Sequence, residues 1–450
     1  MFKKLVDKLD VKNYSKTEQP DWEYLKSQIA EGAESGGSSS KGSLGKRSFE
    51  EQRTNSTSTS AAASASISNG TTPTTSTDST NKRRKKLTDY LVENSAPVIT
   101  LHEGIAKWEV AGVTISEKLL DYRQATIVKA ESKCLDTYQE ELSINSIFLF
   151  DAIHSVYPSS CLEYGFKSAT WEAITEECHE LYPLEQLSDS IEATISKFAK
   201  AAKRKYAQCT EIIDSIPHGG GDDTRCIKES LRNIVSVYSP RSSKKTDKAE
   251  STFSISAVYP LVLSFLEETD MTTRVGTDGR AHREKTESSG KGGYQFSDLS
   301  VNFEYGLMPK QGLLIVEIKP PHKVRTGSRP DLVKLANEMK DSLDKMVQDG
   351  VDNPKITILG LLVEGFRCTL FVMDLKYQAV YRLIPLAVFY IPRDLHDFDV
   401  LSSSFEALVT MRQMVSANAN LCFDFHRNKK REIIRGKHII QSCRPKNGEK

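Results

Sequence analysis

Between residues 294 and 321 the spacing of apolar and polar positions predicts a β-hairpin. Phe296 to Tyr305 is rich in strand formers, Gly306 to Gly312 carries turn residues, and Leu313 to Ile318 is an apolar β run. Strand side chains alternate between faces, so Glu317 and Lys319 are expected on one face while Val316 and Ile318 point into the core. Pro320 and Pro321 end the strand directly after Lys319, which leaves its charged end near solvent. Upstream, Glu250 opens the stretch Ser251 to Glu268 (STFSISAVYPLVLSFLEE), a buried helix bent or started late at Pro260. Downstream, Asp331 to Val347 places Leu332, Leu335, Met339, Leu343 and Met346 at helical spacing. Ile356 to Val363 is a short apolar run bounded by charge, as a central strand would be. With a further strand near Thr272 to Val275, the expected order is helix, strand, hairpin, helix, strand.

Helical periodicity also marks Ile115 to Ala130, Trp171 to Tyr182, and Leu187 to Ile213, so residues 87–240 read as a helical region. Cys368 to Leu375 and Ala379 to Tyr390 read as two further strands that extend the sheet, and Phe405 to Val415 as a covering helix. HGGGDD at 218–223 follows no strand, lacks a GKS or GKT ending and carries two acids that would repel phosphate; it reads as a loop. Thr277 to Gly293 reads as a polar loop beside the hairpin.

The hairpin carries the candidate chemistry. Asp298 heads its first strand and the Glu317-x-Lys319 tripeptide ends its second, so two carboxylates and an ammonium group converge. Carboxylate oxygens suit Mg²⁺ or Mn²⁺, and a lysine beside them can orient a water for attack on a phosphodiester. One cation would bridge Asp298 and Glu317 across a gap on the order of 4–6 Å. Asp278 competes with Asp298 for the ligand role from a loop. The plain alternative is that Glu317 and Lys319 form a surface ion pair.

This order of elements, with Asp298, Glu317 and Lys319 at these places, resembles the PD-(D/E)xK restriction-endonuclease-like superfamily over residues 245–365. The resemblance implies an α/β fold with an αβββαβ core and a mixed sheet, here with extra C-terminal strands and an N-terminal helical region. It implies that Asp298 and Glu317 hold Mg²⁺ or Mn²⁺, that Lys319 positions the water, and that Glu250 on the first helix supports the site. It also implies that Lys334 or Lys340 on the second helix faces the substrate. Ser297 stands where the motif has its proline. The run from EIKPP through DLVKLANEMKDSLDKM to ILGLLVEGFRCTLFVMDL is similar to a set of uncharacterised fungal nuclease-like proteins.

Composition refines the picture. The 450 residues, 38% apolar, give ample chain for a buried core, and the formal net charge of +1 says little about partners. Eight cysteines without a CxxC pair argue against a structural zinc site and for reduced thiols. No apolar run reaches a membrane span and the N-terminus lacks a secretory core, so no membrane partner is expected. Residues 1–31 suit a short helix, and 32–86 are a Ser/Thr-rich linker unable to bury enough apolar surface to order itself. The linker ends in Lys82, Arg83, Arg84, Lys85 and Lys86, a compact basic peptide that suits a nuclear import receptor, or otherwise a solvated charge run. The next residues, Leu87 to Leu91, bear a faint likeness to a sliding-clamp-binding peptide without its leading glutamine.

The nuclease-like domain is expected over 241–420, followed by a basic tail (421–450) with Arg427, Lys429, Lys430, Arg431, Arg435 and Lys437. Lys200, Lys203, Arg204 and Lys205 form a basic cluster that reads either as a solvated helix face or as an arm gripping a duplex. His322 follows the Glu-x-Lys strand as a loop residue within reach of a phosphate. Two functions remain open on this reading. One is metal-dependent hydrolysis of nucleic acid, DNA before RNA, in the nucleus or cytoplasm. The other is a nuclease-like domain that binds nucleic acid or protein without turnover.

Overall fold

The computed structural model describes residues 99–132, 135, 137–151, 161, 165–217, 219, 221–238, 250–266, 271–275, 297–305, 309–324, 331–428, 435–440 and 442. All of them belong to one compact unit, Thr74–Lys450. Segments 1–31 and 32–86 with the basic run Lys82 to Lys86, Leu87 to Leu91, Asp278 with its loop, and the tail residues Lys429, Lys430 and Arg431 lie outside the described residues.

The hairpin forms where the alternation places it. Strand β5 (Leu299–Phe303) pairs antiparallel with β6 (Gln311–Lys319), and Leu299 lies opposite Val316. The register shifts between Val301, opposite Leu314, and Asn302, opposite Gly312, which leaves Leu313 as the extra residue of a bulge. β4 (Met271–Val275) adds to β5 antiparallel. β6 pairs in parallel with β7 (Ile358–Glu364), so a crossover must join them. Helix α8 (Asp331–Gln348) is that crossover. β7, β8 (Arg367–Tyr377) and β9 (Val380–Tyr390) continue antiparallel. The result is a mixed α/β fold on a seven-stranded mixed sheet, ordered β3-β9-β8-β7-β6-β5-β4 with β3 formed by Ile147–Leu149.

The helix before β4 is continuous but irregular. It is α-helical over Glu250–Phe253, a π-turn over Ser254–Val258, α-helical over Tyr259–Val262 and a 3₁₀ turn over Leu263–Phe265. The expected bend at Pro260 is therefore absorbed by the π-turn just before it, since proline has no N–H to give to the preceding turn. We refer to this segment as α7.

Both faces of the sheet are covered along β6, which is buried from Gln311 to Ile318. α8 packs on β6, β7 and β8, and the long helix α9 (Leu401–Asn428) packs on β6, β7 and β9 from the other side. At Gly360 of β7 an added Cβ would run into the Met339 sulfur of α8 and stand 3.3 Å from Leu335. Glycine inside this otherwise apolar strand lets the helix sit close to the sheet. α9 extends at both ends beyond the expected Phe405 to Val415, so residues 421–428 are helix and not tail.

Residues 87–240 do not form a separate helical body. Helices α1 (Ile115–Glu131) and α2 (Tyr138–Ile144) lead into β3 (Ile147–Leu149), which pairs in parallel with β9, Ile147 opposite Tyr381. A two-residue hairpin, β1 (Glu109–Val110) and β2 (Val113–Thr114), precedes α1. Trp108 stacks on Tyr377 of β8 with ring centroids 5.4 Å apart, and the Arg382 guanidinium lies 4.9 Å from the Trp108 ring. Arg382 donates to Asp374 through Nε (2.8 Å) and Nη2 (2.6 Å), while the Tyr182 hydroxyl donates to the same carboxylate at 2.6 Å. A bidentate, aromatic-stacked arginine of this kind fixes two segments in one geometry.

α3 (Ser168–Glu180) agrees with its periodicity, but the expected helix over Leu187 to Ile213 is broken at Lys205 into α4 (Asp189–Arg204) and α5 (Cys209–Asp214). The Tyr206 hydroxyl, just past the break, donates to the Val235 carbonyl of α6 (Gly221–Val237). The glycine-rich stretch at 218–223 is likewise only in part a loop. Gly221, Asp222 and Asp223 open α6, and the two acids pair with Arg412 of α9. Among the described residues no helix is long and apolar enough to cross a membrane. The six described cysteines are buried.

Candidate functional site

Topology brings the candidate residues to one end of the sheet. Parallel β6 and β7 both finish there, and the Gly365 N–H donates to the Lys319 carbonyl at 2.7 Å. Gly365 has φ +64, and an added Cβ would only touch Pro321 at 3.4 Å, so conformation rather than space selects glycine at this turn. α8 begins at the same end, and β5 starts there.

Asp298 lies just before β5 rather than inside it. Its N–H donates to the Val316 carbonyl at 3.1 Å, and its Oδ2 accepts from the Ile318 N–H at 2.6 Å. One step beyond the Leu299–Val316 pair, Asp298 comes opposite Glu317, so the two share a side of the hairpin. Burial raises the Asp298 carboxyl above its ordinary range, against the Ile318 N–H and the Lys334 ammonium, while the nearby Glu250 and Asp331 charges add to the rise.

Glu317 is 4% exposed. Its Oε2 accepts from Lys334 Nζ of α8 at 2.7 Å, and its Oε1 is buried without a hydrogen-bond partner. Burial pushes its carboxyl well above the usual range; the Glu338 carboxylate pushes it further, and the Lys334 ammonium opposes both.

Glu338 also belongs to this cluster, although nothing in the hairpin motif points to it. It sits one turn after Lys334 on α8, with Oε1 4.0 Å from that ammonium, and neither of its oxygens receives a hydrogen bond from a donor group. Burial raises it to about 7, against the attraction of Lys334 and the bond that a protonated Glu317 could give it. Burial also pulls Lys334 down, but the Glu317 and Glu338 carboxylates outweigh it and hold the ammonium above its usual range. Lysine followed by glutamate four residues on reads in a sequence as a solvated ion pair. The signal that could have marked it is Gly360, which lets Leu335 and Met339 approach β7 and so carries Lys334 and Glu338 onto β6.

The other expected residues divide. Lys319 shares the face of Glu317 but bonds Asp331 of α8 at 2.6 Å, so the expected Glu317–Lys319 surface ion pair does not form. Glu250 is half-exposed and pairs with Lys323 at 3.0 Å; its charge is felt by Asp298, which places it near the cluster. His322 is exposed on the turn after β6.

Lys340 does not face a substrate. It is fully buried, with Nζ donating to Asp344 Oδ2 (2.6 Å), the Ile440 carbonyl (2.6 Å) and Ser442 Oγ (2.9 Å), and lying 4.5 Å from the Tyr381 ring. The chain after α9 returns over α8 and covers it. On α4, Lys203 is taken up by Asp399 at 2.5 Å, while Lys200, Arg204 and Lys205 are exposed. Arg427 and Lys437 are exposed as well.

Among the described residues no group of three or more His, Cys, Asp and Glu side chains is placed, as it stands, to hold a metal ion. The chemistry of the donor set nonetheless suits one. Asp298, Glu317, Glu338, Asp331 and Glu250 face Lys319, Lys323 and Lys334, and a partnerless Glu317 oxygen lies among them. Five carboxyl groups stand against three ammonium groups, and a divalent cation would favour the ionised forms of Glu317 and Glu338 that burial disfavours. Comparison of the chain with protein-family models, with curated proteins and with solved structures finds no match.

Proposed function

We propose that this protein is a divalent-cation-dependent nuclease of the PD-(D/E)xK type that cuts DNA, working in the nucleus under an address carried by Lys82 to Lys86. The observation that carries the reading is the buried Glu317 carboxylate, with one oxygen free of partners, opposite Asp298 at the sheet end where α8 begins. The helix, three strands, helix and strand from Glu250 to Glu364 support it as the order of elements of an αβββαβ core.

Asp298 and Glu317 would hold Mg²⁺ or Mn²⁺, and the cation would supply charge to stabilise the phosphodiester and acidify a water. Lys319, two residues from Glu317 on the same face, is placed to orient that water once its ammonium leaves Asp331. Glu250 supports the outer side of the site and holds Lys323 in place. Lys334, at the positive end of α8, draws phosphate toward the cluster.

A second reading has an observation of its own. The Lys334 ammonium already rests on Glu317, which satisfies that carboxylate as a static ion pair would and suits a domain that binds nucleic acid or protein without turnover. Incubation of the full chain with plasmid, single-stranded DNA and RNA, in Mg²⁺ and in Mn²⁺, separates the two. Metal-dependent cleavage is expected; folded protein that cuts none of the three in either metal overturns the nuclease reading in favour of the binding module.

A further inference from the structure

Of the five carboxylates at this end of the sheet, four accept a hydrogen bond from a donor group and one does not. Glu317 holds Lys334, Asp331 holds Lys319, Glu250 holds Lys323, and Asp298 holds the Ile318 N–H. Glu338 is 4% exposed, and no ammonium or N–H group reaches either of its oxygens within hydrogen-bond distance; the bond open to it is one from a protonated Glu317. A buried carboxylate left this way costs several kcal/mol, whereas methionine or leucine at the same helical position would cost nothing of the kind. Such a side chain is more readily explained by a ligand than by packing.

The position of Lys334 shows which kind. Its Nζ lies 2.7 Å from Glu317 Oε2 and 4.0 Å from Glu338 Oε1, a single positive charge drawn between two carboxylates. A divalent cation would serve that place better than one ammonium group, because Asp298 has committed one oxygen to the Ile318 N–H and a hard cation prefers several anionic oxygens. α8 can deliver the Glu338 oxygens firmly, since the residue next to it, Met339, is locked against Gly360.

We propose that Glu338 is a third protein ligand of the divalent cation, engaged when the cation displaces the Lys334 ammonium from Glu317. The proposal rests on the cation-site reading above and adds a residue that the Asp298 and Glu317-x-Lys319 pattern does not contain.

Mn²⁺ titration of the full chain, followed by calorimetry and by thermal unfolding, tests it without any assay of activity. Wild type is expected to gain stability with Mn²⁺. E338Q, which keeps the shape and removes the charge, is expected to unfold no earlier than wild type in chelator and to bind Mn²⁺ at least about tenfold more weakly. K334M, which removes the competing ammonium, is expected to bind Mn²⁺ more tightly than wild type, and E338M, which puts an apolar side chain of similar length in the buried position, is expected to bind it as weakly as E338Q and decides the matter should E338Q fail to fold. If wild type binds no Mn²⁺, the cation-site reading itself falls. If wild type binds and E338Q binds equally well, or K334M binds no more tightly, the ligand role of Glu338 alone is overturned.

Discussion

Lys334 Nζ stands 2.7 Å from Glu317 Oε2, joining the helix that crosses between β6 and β7 to the carboxylate at the end of β6. The pair closes the sheet end, and it makes the site's behaviour depend on what displaces the ammonium.

Removing one anionic ligand should stop chemistry without unfolding the protein. E317Q and D298N are each expected to lose metal-dependent cleavage by at least about a hundredfold, with unfolding temperatures within a few degrees of wild type. In D298N the amide oxygen can still accept from the Ile318 N–H, which is why the hairpin should survive. Either variant cutting plasmid at the wild-type rate would sink the assignment.

The two lysines of α8 should separate cleanly. K340M strands the buried Asp344 carboxylate and frees the returning segment at Ile440, so a stability loss of about 3–5 kcal/mol is expected in urea unfolding. DNA affinity per folded molecule should not change. A normally stable K340M with weakened DNA binding would return Lys340 to the substrate side.

Stability without metal should fall as pH rises. Glu338 is raised by burial to about 7 from an ordinary 4.5, so between those values the folded state binds more protons than the unfolded state. The contribution is full below about 4.5 and fades through pH 7, and Glu317, raised in the same direction by its burial, adds to it. Urea midpoints in chelator from pH 5 to 8 should decline more steeply for wild type than for E338Q. Parallel declines would contradict the environment described for Glu338.

The basic face of α4 offers a test of substrate grip. Lys203 is engaged by Asp399, so the exposed Lys200, Arg204 and Lys205 are the groups able to meet phosphates. Replacing these three with alanine should weaken DNA binding and lower the salt slope by roughly one for each phosphate that is no longer neutralised. An unchanged slope would make this helix a solvated face.

Nuclear entry is expected to depend on Lys82 to Lys86, because a receptor reading an extended basic peptide needs several cationic groups together. Alanine at all five should move a fluorescent fusion to the cytoplasm. Retained nuclear signal would assign the address to another segment, such as the basic stretch after α9.

The local part of this architecture was written in the residues. Strand formers from Leu299 to Phe303 and from Leu313 to Ile318, a stop at Pro320 and Pro321, and the apolar spacing of Asp331 to Gln348 depend only on neighbours in the chain, and they set Asp298 opposite Glu317. What the sequence left open depended on the packing of distant residues. Three residues, Ile147 to Leu149, become a sheet strand only because Tyr381 to Leu383 lie beside them, so a region with helical periodicity merges with the sheet. Lys334 and Lys340 have the same chemistry six positions apart. One reaches Glu317 because Gly360 admits α8 closely, and the other is sealed in because Ile440 and Ser442 fold back over it. Glu338 reads as an ordinary helix acid until burial removes its water, and burial is a property of the packed molecule that no spacing along the chain encodes.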